Sequence, residues 1–182
     1  MRRHAEDLVM FDRPRGSLPL LVLLFLIPQS LFVIGDYMAV GIRFPLFRFQ
    51  AVYQSVNTTA GVETTLVPSM FTIVRELQFV LMGVVGSAVG RTAIATYLWL
   101  AGVIILIAAA VLVISWQVLD NMGHARYPGP LIIVTGVIFL VWALVQFGPL
   151  FYGPLGYSIP VGVPFLWYSG YQFMQAAKKA EE

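Results

Sequence analysis

Three ionisable side chains lie within or beside the apolar segments of this chain, and they are the residues best placed to carry chemistry. They are Asp36, Arg75 and Glu76. A charge inside a bilayer costs roughly 3 kcal/mol or more unless it is paired or reaches water. We therefore predict a candidate intramembrane polar site that contains these three side chains.

Asp36 and Arg75 are expected to pair. Asp36 falls near the outer end of the first predicted helix, and Arg75 falls about 10 Å below the outer start of the second, at the rise of an α-helix. A long arginine side chain can extend across such a gap. The pair would form an ion or substrate site near the outer face, or it would fix the packing of two helices. A third interpretation is that Arg75 reaches the interface alone.

Glu76 needs a partner of its own. It follows Arg75 directly, so on a helix its side chain points about 100° away from that of Arg75. The two residues therefore do not serve one helix face. The candidate partners of Glu76 are Arg43, Arg48 or a neighbouring subunit.

Small residues follow on the same predicted helix, and they indicate a helix-packing face. Gly83 and Ser87 are four residues apart, as are Gly86 and Gly90. Small residues at this spacing let two helix backbones approach closely within a membrane. The spacing predicts a helix–helix contact, and the partner helix could belong to this chain or to another.

Most reactive chemistry is missing from the sequence. There is no cysteine, so thiolate nucleophiles, cysteine zinc sites and iron–sulfur clusters are excluded. The two histidines, His4 and His124, lie outside the apolar segments. No phosphate-binding glycine loop, nucleophile–base set or metalloprotease motif is present. We expect no catalytic, cofactor-binding or metal-binding residues and no cofactor, and we favour a protein that is not an enzyme.

The composition is typical of a membrane protein. Hydrophobic residues make up 59% of the 182 residues and charged residues 11%, against about 25% charged residues in soluble domains. From Tyr127 to Ala177, 51 residues pass without Asp, Glu, Lys or Arg. The mean hydropathy is +0.82. These values predict an all-α polytopic membrane protein with about five, possibly four, transmembrane helices.

The apolar segments divide the chain into predicted spans. The candidates are Ser17–Gly35, Pro68–Gly90, Thr92–Leu119, Pro130–Phe147 and Ser158–Met174. Arg75 and Glu76 interrupt the second, which is the reason for the alternative of four spans. A signal peptide is a competing interpretation of the first. This gives an N-terminal segment (1–16), a transmembrane domain (17–177) with an outer loop (40–67) and a C-terminal tail (178–182).

Charge around the spans gives a weak orientation. Five spans with a cytoplasmic N-terminus place five basic residues on each side, whereas four spans place seven on the N-terminal side and four on the other. The first helix usually dominates orientation. We therefore predict a cytoplasmic N-terminus with the segment from Val40 to Val67 outside.

Few reactive side chains together with a small-residue face indicate a non-catalytic membrane protein. We favour an accessory or assembly subunit of a larger membrane complex, in contact with the lipid bilayer and with other membrane subunits or copies of itself, and with no nucleic acid. The alternative is a small-solute or ion pathway, a channel or transporter, lined by Asp36, Arg75 and Glu76. An enzyme that acts on lipid is a third possibility.

Overall fold

The structure, a computed structural model, describes residues 17–58, 61–82, 90–119 and 127–181, which form helices and one sheet. The helices are α1 (Ser17–Leu26), α2 (Gly35–Met38), α3 (Ile73–Leu81), α4 (Arg91–Leu119), α5 (Pro128–Phe147) and α6 (Val163–Glu181). The strands are β1 (Ser30–Ile34), β2 (Ala39–Arg43), β3 (Phe47–Thr58), β4 (Gly61–Thr72), β5 (Tyr152–Gly153) and β6 (Gly156–Ile159).

The prediction of an all-α fold is wrong, because the strands form a six-stranded antiparallel sheet in the order β4-β3-β2-β1-β6-β5. The segment predicted to be an outer loop, residues 40–67, contributes to three of these strands. Its valine, threonine, phenylalanine and tyrosine residues fit an extended, half-buried backbone. Apolar side chains occur on both faces of the sheet, so the polar–apolar alternation that identifies a strand is obscured in the sequence.

The prediction of a polytopic protein with five, or four, transmembrane helices is also wrong. Among the described residues, only Arg91–Trp116 within α4 and Pro128–Phe147 are helical, long and apolar enough to cross a membrane. The first predicted span is helical only to Leu26, after which the chain turns into β1. The second is divided between the end of β4 and α3, and the fifth begins as β6.

Pro68 illustrates why the second predicted span is not one helix. We expected it in the first turn of a helix, but it lies in β4 and pairs with Ala51 of β3. β4 is at the edge of the sheet. A residue without a backbone N–H is tolerated on an edge strand, because no neighbouring strand requires that donor.

A side-chain hydrogen bond and a close backbone contact at glycine hold the long helices together. Arg91 at the start of α4 donates from Nε to the carbonyl oxygen of Val145 near the end of α5, so the two helices are antiparallel. A Cβ on Gly170 of α6 would lie 2.8 Å from the carbonyl oxygen of Gly129 of α5. The backbones of α5 and α6 therefore approach where neither helix carries a side chain.

The sheet lies across one end of these helices. Its inner face carries Arg43, whose guanidinium lies over Trp99 in the first third of α4 and over Trp142 near the end of α5. At the same end, the N–H of Gly162, just before α6, donates to the carbonyl oxygen of Gln29, just after α1. The junction between the sheet and the helix ends is where the charged residues meet.

Candidate functional site at the junction of sheet and helices

Two arginines face each other at the end of the β2–β3 hairpin. Arg43 is the last residue of β2, and the register pairs it with Arg48 of β3. Like charges directly opposite on neighbouring strands destabilise a sheet. A counter-charge between the two guanidinium groups is therefore required.

Glu76 supplies this counter-charge. The Thr72 hydroxyl caps the start of α3 by accepting from the Arg75 N–H at 3.4 Å, and Glu76 lies in the first turn. Glu76 Oε2 accepts from Nη2 of Arg43, and Oε1 lies 2.8 Å from Nε of Arg48. The side chains of Arg43, Glu76 and Arg48 retain 7%, 8% and 22% of their exposure. Glu76 thus bridges two strands from a helix, with the two arginines that were considered as its partners.

Aromatic rings surround the buried end of this cluster. The Cζ of Arg43 lies 4.2 Å from the ring centroid of Trp99 and 4.9 Å from that of Trp142. Trp99 also stacks on Phe139, with 4.1 Å between centroids, and its Nε1 donates to the carbonyl oxygen of Pro45 at 3.0 Å. Cation–π attraction strengthens when the cation is removed from water. The rings therefore offset part of the cost of burying Arg43.

Burial still acts on the ionisation of Arg43. Desolvation is the main cause that lowers the pKa of its guanidinium to about 10; the neighbouring charge of Arg48 acts in the same direction, and the carboxylate of Glu76 opposes both. A group with this pKa is protonated at neutral pH. The cluster therefore carries two positive charges and the carboxylate of Glu76.

A cavity of about 240 Å³ lies against the cluster. Arg43, Arg48 and Glu76 form one part of its wall, with Thr92, Thr96 and Gln146 as further polar side chains. The remaining wall is apolar and comes from β1, α3, α5 and the β5–β6 turn; it includes Phe32, Ile34, Phe79, Val80, Phe147 and Leu155. The arrangement is suited to binding a small molecule with one charged and one apolar end.

The structure separates the three residues predicted to form one polar site. Glu76 lines the cavity, whereas Arg75 is exposed, with its guanidinium 5.4 Å from the ring of Phe71 and 5.5 Å from that of Phe79. Asp36 lies in α2, before the first residue of β2, while α3 follows β4 beyond the other end of β2. The five residues of β2 alone span roughly 16 Å, so the backbone positions of Asp36 and Arg75 are well separated.

The predicted helix-packing face is mostly outside the described residues. Gly83, Gly86 and Ser87 fall there, and Gly90 accepts from the Ile94 N–H as the first turn of α4 begins. The prediction of a packing contact at these four residues stays a prediction. One close contact between helix backbones that the structure does describe is at Gly129 and Gly170.

The aromatic residues of the site were not predicted from the sequence. Arg43 and Arg48 were predicted only as candidate partners of Glu76, within a segment expected to be an outer loop. A signal was present in Arg43 and Arg48 around Pro45, because two cations beside a tight turn require an anion nearby. Trp99 and Trp142 carry no such signal, since apolar helices contain tryptophan for packing alone.

Comparison with protein-family models, curated proteins and solved structures gives no match to this chain.

Proposed function

We propose that this chain is a non-catalytic membrane protein that serves as an accessory subunit, with its apolar helices in the bilayer and its sheet at the surface. The support for the membrane part comes from the outward faces of α4 and α5. Ile104, Ile107, Val111, Val134 and Val141 are exposed there without an intervening charge. Contiguous exposed apolar surface of this kind is characteristic of a lipid or protein contact.

The sheet supports the second part of the proposal. Its inner face contacts the helix ends through Arg43, so its outer face points away from the helices. With the helices in lipid, that face is directed at the aqueous phase and is not covered by acyl chains. An apolar face in this position requires a protein partner.

The outer face of the sheet is apolar along two rows of paired residues. The first row is Met70, Phe49, Ile42, Leu31 and Ile159, and the second is Pro68, Ala51, Val40, Val33 and Tyr157. Phe49 and Ile42 are 47% and 40% exposed. None of the ten residues is charged. This uncharged outer face is the observation that carries the proposal.

The shape of the outer face favours a different protein over a second copy of this chain. A groove of about 550 Å³ runs over both rows. Two grooved surfaces placed face to face leave a void between them, and voids forfeit packing energy. The partner we propose is a convex, uncharged and apolar element of another subunit, such as a helix that inserts its apolar side chains into the groove.

A conducting pathway receives less support. Leu106, Ala109 and Val113 of α4 are fully buried against the neighbouring helices. These side chains fill the space between the helices, beyond the cavity and farther from the sheet. A pathway needs polar groups along the whole depth of the membrane, and these positions are apolar.

Cysteine protection tests the docking face, and the absence of native cysteine makes the labelling specific. In native membranes, Ile42→Cys should resist an impermeant maleimide, while Gln78→Cys on the exposed side of α3 should react. Both should react once the chain is purified as a monomer. Equal labelling of both in native membranes contradicts the docking face. A disulfide between two Ile42→Cys chains would identify a second copy as the partner and would contradict the proposed heteromeric contact.

Extraction tests the membrane part. The wild-type chain should remain in the membrane fraction at alkaline pH and be released by detergent. Recovery of a folded chain from the soluble fraction would contradict the proposal.

A further inference from the structure

We propose that the cavity beside Arg43 and Arg48 binds a small monocarboxylate with an apolar body. This inference does not depend on the membrane location or on the docking face. It is derived from the charge, the hydrogen-bonding groups and the wall of the cavity.

The charges of the cavity wall do not balance. Arg43 and Arg48 contribute two positive charges and Glu76 one negative charge, which leaves a net charge of +1. A buried charge without a partner is costly, because the protein interior solvates it poorly. One further negative charge would neutralise the wall, so a monoanion fits better than a dianion.

The donors of the cluster are also not fully used. Nε of Arg48 is buried, and it lies close to Glu76 Oε1 without an aligned hydrogen bond among the described residues. Arg43 donates to Glu76 through Nη2. A guanidinium has five N–H donors in a planar arrangement that matches the two oxygens of a carboxylate. A carboxylate thus satisfies both the charge and the donors.

The apolar part of the wall selects an apolar body. Phe32, Ile34, Phe79 and Val80 belong to it. A cavity of about 150 Å³ with similar lining accommodates benzene in another protein, so about 240 Å³ accommodates a six-membered ring with a carboxylate. An inorganic anion would leave this apolar part unfilled. Arg48 is the more exposed of the two arginines.

Benzoate is the probe that tests this site, with benzyl alcohol and chloride as controls. Titration of the full chain in mild detergent, followed by calorimetry and by tryptophan fluorescence, should give saturable binding of benzoate, since Trp142 lines the cavity. Benzyl alcohol has the same ring without the charge and should bind at least about tenfold more weakly. Chloride should not reproduce the signal at equal concentration.

Two variants locate the site. Arg48→Gln should weaken benzoate binding about tenfold or more, because it removes a charged donor. Arg75→Gln removes an exposed arginine of the same region and should leave binding unchanged. Val80→Phe keeps every charge and fills the apolar part of the cavity, so it should also weaken binding, and it serves if Arg48→Gln does not fold.

Three results would overturn the proposal. The first is the absence of saturable benzoate binding to the wild-type chain. The second is equal binding of benzoate by the wild type and by a folded Arg48→Gln or Val80→Phe variant. The third is a response to chloride equal to the response to benzoate. Each is independent of the location of the chain, so failure here is distinguishable from failure of the proposed docking function.

Discussion

The guanidinium of Arg43 lies over the indole of Trp99, with 4.2 Å between Cζ and the ring centroid. This contact joins β2 to α4, although Trp99 follows Arg43 by 56 positions in the chain. The same indole donates to the carbonyl oxygen of Pro45 in the β2–β3 turn. The end of β2 and the turn that follows it are therefore held against the first third of α4 by one side chain.

Loss of Arg43 should be the most damaging of the arginine substitutions. Arg43→Met leaves the buried carboxylate of Glu76 with Arg48 alone, and breaking a buried ion pair costs about 3–5 kcal/mol. Adding Glu76→Leu should not recover this loss, because it leaves the positive charge of Arg48 without its carboxylate partner. Arg75→Met is the control, with an expected loss below about 1 kcal/mol, since its contacts with Phe71 and Phe79 are exposed. Chemical unfolding in detergent compares the three variants with the wild type, and equal losses for Arg43→Met and Arg75→Met would contradict the buried cluster.

The hydrogen bond of Trp99 should be measurable apart from its packing. Trp99→Phe retains an aromatic ring against Phe139 but leaves the carbonyl oxygen of Pro45 without this donor, at a cost of about 1–3 kcal/mol. Trp167→Phe alters the indole of a residue that is 40% exposed and rests against Gly136, and it should cost less because Trp99 is buried. Thermal melting of the purified chain compares the two. A smaller effect at Trp99 than at Trp167 would show that the Pro45 contact does not form.

Gly170 should reject even a methyl group. Gly170→Ala places a Cβ 2.6 Å from Cγ1 of Ile133 and 2.8 Å from the carbonyl oxygen of Gly129, and such overpacking costs about 1–3 kcal/mol. Helix propensity alone would favour alanine by about 1 kcal/mol. The direction of the change in melting temperature therefore distinguishes the two effects. Ala108→Gly, at an exposed position of α4, reports propensity alone and should lower the melting temperature modestly; a rise for Gly170→Ala would contradict the close backbone contact.

The cytoplasmic N-terminus stays a prediction, but its expected separation from residues 40–67 by a membrane crossing loses its support, because α1 ends at Leu26 and no described helix before α4 is long and apolar enough to cross a membrane. In intact cells, an impermeant thiol reagent should therefore treat Ala5→Cys and Ser55→Cys in β3 alike. Permeabilised cells should label both. Labelling of only one of the two in intact cells would mean that the chain crosses the membrane before β3, which contradicts this arrangement.

Long apolar helices were the part of the fold that the sequence predicted well. The third and fourth predicted segments coincide closely with α4 and α5, and the fourth ends at Phe147, as α5 does. A continuous apolar segment of this length has few alternatives to a helix. The sheet was missed because its outer face is apolar as well as its inner face. The polar–apolar alternation that identifies a half-buried strand is therefore absent from these segments.

The site was predicted only in part, for a reason of geometry. Glu76 and its candidate partners Arg43 and Arg48 follow from charge pairing, which does not depend on the fold. Pairing of Asp36 with Arg75 assumed two helices side by side, whereas strands rise more than twice as far per residue. Contacts of Trp99 and Trp142 with Arg43 require β2 to lie on the helix ends, and no local pattern encodes that placement.

The β3–β4 hairpin has a consequence for amide hydrogen exchange. β2 pairs only with residues 48–52 of β3, so residues 53–58 of β3 have β4 as their one described strand partner. An isolated two-stranded ribbon is marginally stable in water, and such segments open without global unfolding. Amides beyond Val52 should therefore exchange at rates set by local opening, while those opposite β2 exchange at rates set by the whole sheet. One continuous hairpin would then contain a thermodynamic boundary, located where β2 begins at Ala39.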